Sequence, residues 1–167
     1  MIAAPSCVVP LAPDFEDPPK EPNFYPYFVD SDPVRESTVS FNAASLPYPF
    51  AVVVGDQNVR DVLYYRWVAD YPVFVPNTTR LVQEGPVPPS SGLAETRTLP
   101  VYMVRCESFA MGMEQHRLSL IVSDRPFLKV GSGELRYSQV ATRPGPGNSI
   151  SPVTYPATAG WSITCLP

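Results

Sequence analysis

Few residues of this chain could do chemistry. There is a single histidine, His116, and there are three cysteines, Cys7, Cys106 and Cys165. One histidine rules out a multi-histidine zinc centre, and the cysteines lack the close spacing of a structural zinc site. A Ser-His-Asp triad would have to use His116, yet no G-x-S-x-G elbow accompanies it. The stretch "GSGELRY" lacks the G-x-G-x-x-G spacing and a following helix, so it reads as a turn. "RPGPGNS" is too rich in proline to cradle a phosphate. Carboxylates at Asp14, Glu16 and Asp17, or at Asp30 and Asp32, could hold calcium but read better as solvated acidic loops. Asn77 opens an "NTT" sequon, which carries weight only in a eukaryotic secretory setting. The expectation is a non-enzymatic protein with no catalytic residue, cofactor or metal, in which His116 has a structural hydrogen-bonding role.

The cysteines say more about compartment than about catalysis. In "LPVYMVRC" the period of two puts Tyr102, Val104 and Cys106 on one face, and in "GWSITC" it groups Trp161, Ile163 and Cys165. Two inward-facing cysteines on separate strands suggest a disulfide between Cys106 and Cys165, and with it an oxidising compartment. The alternative is two buried thiols acting as small apolar side chains. Cys7 stands apart, after "MIAAPS" and before the proline-rich "VVPLAPDFEDPPKEPNFYPYF". This arrangement resembles a bacterial lipoprotein, in which the cysteine after the signal peptide carries lipid and a flexible tether follows. The resemblance implies lipidation of Cys7 and a bacterial cell-envelope location, anchored or secreted. Ala4 stands three residues before it where leucine is usual, and six residues cannot supply a charged region plus an apolar run of roughly 7–15 residues. Either a start upstream of Met1 or an unpaired thiol at Cys7 accommodates that departure.

These residues must be held by strands. Of 167 residues, 44% are hydrophobic and 17% charged, enough for a buried core. The 22 prolines disfavour helices and keep strands short. A net charge of −4 disfavours nucleic acid, which needs clustered cations. No apolar run reaches the length of about 18 residues that a transmembrane helix needs. Residues 1–33 read as an extended, proline-rich arm or tether. Beyond it, "STVSFNA", "FAVVVGD", "DVLYYRWVAD", "RTLPVYMVRC", "HRLSLIVSD" and "WSITC" read as strands, with "YPVFV" and "ELRYSQV" as weaker candidates. Residues 34–167 are therefore expected to form one all-β, antiparallel sandwich with long proline-rich loops.

Two segments narrow this. "FAMGMEQHRLSLIVSDRP" runs from a glycine through His116 into alternating Leu118, Leu120 and Val122 and ends at an aspartate. It resembles the late strand of bacterial immunoglobulin-like and PKD-type domains, and "LYYRWVAD" resembles their tryptophan-bearing strand. Together they cover about a sixth of the chain. The resemblance implies an immunoglobulin-like sandwich and is silent on function. A Cys106–Cys165 bridge is not the staple usual in such domains, which joins early and late strands around the tryptophan.

Period two also assigns Leu63, Tyr65, Trp67 and Ala69 to the core face, leaving Arg66 on the other face as a solvated residue. Trp67 is thus expected inside rather than as a sugar-stacking platform. What remains for function is interaction. The arm has too few inward apolar positions to fold alone, and Phe15, Phe24, Tyr25, Tyr27 and Phe28 are expected to contact a protein partner in a multi-subunit envelope assembly, with a lipid anchor to the membrane. A carbohydrate-binding module, or an inhibitor or receptor presenting the loop "NTTRLVQEGPVPPSSGLAETR", is the alternative.

Overall fold

The computed structural model describes residues 24–42, 46–71, 79–92, 94–110, 114–127 and 156–167. They form an all-β sandwich of two sheets. Nine strands follow in chain order: β1 (Tyr27–Asp32), β2 (Thr38–Asn42), β3 (Tyr48–Gly55), β4 (Leu63–Ala69), β5 (Arg80–Val87), β6 (Thr96–Thr98), β7 (Tyr102–Val104), β8 (His116–Ser123) and β9 (Ala157–Leu166). The four-stranded sheet runs β1-β3-β6, with β7 also paired to β3. The five-stranded sheet runs β2-β9-β8-β4-β5. All pairings are antiparallel except β2 with β9, which is parallel.

Alternation along the strands produces this packing. Val39 and Phe41 of β2, and Leu118, Leu120 and Val122 of β8, turn inward and are buried. Leu63, Tyr65, Trp67 and Ala69 do the same on β4, so Trp67 is a core residue. Phe50, Val52 and Val54 face them from β3. At the centre, Phe50 presents its ring edge-on to Trp67 at 6.1 Å and to Trp161 at 5.3 Å. Trp67 stacks on Tyr102 at 5.3 Å. Such edge and offset contacts add about 0.5–1.5 kcal/mol each beyond the area they bury.

Three strands depart from the sequence expectation. Tyr27–Asp32, assigned to the arm, is strand β1 and pairs with β3 from Tyr27↔Gly55 to Asp32↔Ala51, with a bulge between Phe28 and Asp30. The chain then crosses between the sheets. The Trp161 indole N–H donates to the Pro33 carbonyl at 3.0 Å, and the Glu36 N–H donates to the Gly160 carbonyl at 2.7 Å. Arg80–Val87, expected within a presented loop, is strand β5, paired along β4. "RTLPVYMVRC" is not one strand: Pro100 has no N–H to give a ladder, and β6 and β7 form on either side of it. "YPVFV" from Pro72 onward and all of "ELRYSQV" lie outside the described residues.

Candidate interaction surface

Strand direction gives the sandwich two ends. At the upper end lie Gly55, the 56–62 loop and the start of β4. At the lower end lie the start of β3, the end of β9 and Pro167, whose carbonyl accepts from the Asn42 side chain at 2.8 Å.

The upper end is built around a buried arginine. Arg97 points inward from β6 and is 5% exposed. Its guanidinium donates to the carbonyls of Asp61, Asn58 (3.3 Å) and Val59 (3.1 Å), and it lies 3.7 Å from the Asp56 carboxylate. A single cation thus gathers the 56–62 loop around itself. Asp56 also accepts the Asn58 N–H at 2.9 Å. Burial pushes the Asp56 carboxyl above the usual carboxylate range, against the opposing pull of the Asn58 N–H and Arg97.

The loop in turn fixes the start of the described chain. The Asn58 side-chain oxygen accepts the Phe24 N–H at 3.0 Å. Phe24, Tyr25 and Tyr27 follow from that anchor, exposed by 42%, 45% and 42%, while Pro26 between them is buried. The Tyr27 ring lies flat over Gly55, where a Cβ would come within 2.3 Å of it. Only glycine leaves that space. Phe28 turns the other way, packs against the core and carries the Arg35 guanidinium over its ring at 5.5 Å. Of the arm residues assigned to partner contact, then, Phe24, Tyr25 and Tyr27 are each exposed. Phe28 is half-buried in the fold, because it lies opposite inward-facing Val54 in the β1–β3 register. Phe15 and the lipidation candidate Cys7 lie outside the described residues.

At the lower end, Cys106 and Cys165 form a disulfide that ties the short 3-10 turn Cys106–Ser108 to β9. Its closed loop spans 59 residues, for which chain entropy alone gives about 4 kcal/mol of stabilisation. His116 sits beside it in a polar clamp. Its Nδ1 is 3.0 Å from the Asp70 carboxylate, and Phe109 stacks on its ring at 4.8 Å. Asp70 also accepts the Ala110 N–H at 3.0 Å, and its own N–H donates to the Arg117 carbonyl at 2.6 Å. The pair joins three segments and is buried from solvent, which is a structural role for His116.

Arg66 corrects an expectation. It is 2% exposed, not solvated. It donates to Glu84 at 2.6 Å, and its guanidinium sits 4.6 Å from the Phe127 ring. Beside it on the outer face of the five-stranded sheet, Val68 and Ile121 form a second small apolar cluster with Tyr71, Leu81 and Phe127. Leu81 comes from β5, and Phe127 follows β8. Nothing in the sequence marks the Arg97 centre either: an arginine between two threonines is an ordinary strand residue until a loop folds onto it. Among the described residues no group of three His, Cys, Asp or Glu side chains is placed to hold a metal ion. No protein-family model, curated protein or solved structure matches this chain.

Proposed function

We propose that this protein is a non-enzymatic interaction subunit of a bacterial cell envelope: an immunoglobulin-like sandwich, lipid-anchored through Cys7, that docks onto a larger assembly through its aromatic upper end. The observation that carries this is the display of Phe24, Tyr25 and Tyr27. Three adjacent aromatics stand outside the core, yet the first is anchored by Asn58 and the last is seated on Gly55. Aromatics held in place lose little conformational freedom on binding, which is why such residues serve as interface anchors.

The immunoglobulin-like assignment draws support from strand order. β9-β8-β4-β5 follow one another as the G, F, C and C′ strands do in variable-type domains, and Trp67 occupies the C-strand core position. The Cys106–Cys165 bridge departs from the pattern, since it staples the lower end rather than the two sheets around the tryptophan. The disulfide itself accords with an oxidising compartment such as the periplasm.

The test is a triple variant, Phe24→Ala, Tyr25→Ala and Tyr27→Ala, compared with the natural chain for co-migration with envelope complexes on native gels. Loss of co-migration with an unchanged circular dichroism spectrum is the expected outcome. Retained co-migration would remove the aromatic end as the contact.

A further inference from the structure

The outer face of the four-stranded sheet carries the surface further than the aromatic end. From β1 it presents Tyr27, Asp30 and Asp32, which lie opposite Gly55, Val53 and Ala51 of β3. Across β3, Met103 of β7 pairs with Pro49. Val101 and Met103 are exposed by 49% and 47%, and Ala51 and Val53 are half-buried. The result is an apolar strip with two exposed carboxylates along one margin. Neither Asp30 nor Asp32 meets a cationic side chain among the described residues, where Asp30 accepts only the N–H of Ser31. No Lys or Arg projects outward from the described strands of this face. Arg105, at its lower margin, is already paired with Glu107 at 3.8 Å.

Building on the interaction reading above, we propose that this face is the body of the docking surface, and that its occupant is a different protein whose apolar contact face is flanked by lysine or arginine. Covering the strip would take Asp30 and Asp32 out of water, and an unpaired buried carboxylate is strongly unfavourable. The occupant must therefore bring cations to that margin. A second copy using the same patch brings only another pair of carboxylates, because a two-fold interface sets one patch against itself. An anionic lipid surface is repelled by the same two groups. The aromatic end and the strip are continuous through Tyr27 on Gly55.

The experiment places a photo-crosslinking residue at Met103 of the full chain in its source cells, with Thr158, exposed on the outer face of the opposite sheet, as control. The expected result is an adduct from position 103, and not from 158, with a peptide of another protein that carries Lys or Arg beside apolar residues. Asp30→Lys with Asp32→Lys should cut its yield about tenfold or more, because like charges would then oppose each other. Asp30→Asn with Asp32→Asn should fall between, and thermal melts establish that each variant is folded. An adduct between two copies, no adduct at position 103, or a yield indifferent to charge reversal would each overturn the proposal. Indifference to charge reversal together with loss of association in the aromatic triple variant would leave the upper end as the contact and remove this face alone.

Discussion

Asp70 is the residue on which the lower end depends most. It takes a left-handed backbone conformation, φ 55°, which non-glycine residues adopt reluctantly and aspartate and asparagine more readily than others. Its carboxylate holds both the His116 ring and the Ala110 N–H. Asp70→Ala strands the buried His116 ring and the part-buried Ala110 N–H and keeps the unfavourable backbone, so it should lower unfolding free energy by about 3 kcal/mol in urea titrations. Asp56 governs a different response, to pH. Burial raises its folded-state pKa above the unfolded value, so between those values the native state binds more protons than the unfolded one. Asp56 therefore favours folding most at low pH, and its contribution declines as pH rises upward from about 4. Asp56→Asn cannot titrate. Subtracting its unfolding free energy from that of the natural chain, in urea titrations from about pH 4 to pH 7, should give a difference that falls as pH rises. A difference that grows instead would mean that the Arg97 ion pair outweighs burial. None of these residues announced itself in the sequence. His116 could be read as structural because nothing accompanied it, but its partner lies 46 positions away, and only the β4–β8 pairing brings the two together.

At the scale of elements, legibility followed alternation. β2, β4, β8 and β9 alternate apolar and polar residues cleanly or carry long apolar runs, and their inward faces were readable residue by residue. β1 and β5 were not, for a physical reason. "YFVDSD" and "RLVQEGPV" lie at sheet edges, where one side of the backbone has no partner and acidic residues, glycine and proline are tolerated. Their strand character comes from β3 and β4 beside them rather than from their own composition. This bears on truncation. Removing residues 1–23 leaves every described strand intact and should shift the melting temperature little. Removing residues 1–33 also deletes β1, exposes the edge of β3 and takes away the carbonyl that the Trp161 indole N–H meets. The second truncation should melt roughly 10 °C lower or fail to fold. Scanning calorimetry of the two chains separates these outcomes, and equal melting temperatures would mean that β1 is dispensable.

For the molecule as a whole, the two ends divide the labour. The disulfide, the Asp70–His116 clamp and the C-terminal residue gather at the lower end, while the aromatic display and the start of the described chain lie at the upper end. The proposed lipid site, Cys7, precedes in sequence the described residue Phe24, which lies at the upper end. Anchoring and docking are separable on this proposal, because Cys7 lies 17 positions before Phe24 in the sequence. Cys7→Ser should move the protein from the membrane to the soluble fraction of fractionated cells with an unchanged melting temperature, and the natural chain should yield an N-terminal peptide beginning at Cys7 with the mass of a diacylglyceryl group. An unmodified peptide retaining Met1 would remove the anchor. It would leave the aromatic end and the Asp30–Asp32 margin as they are, since the contacts described for both, Phe24 on Asn58, Tyr27 on Gly55 and β1 on β3, lie within the sandwich.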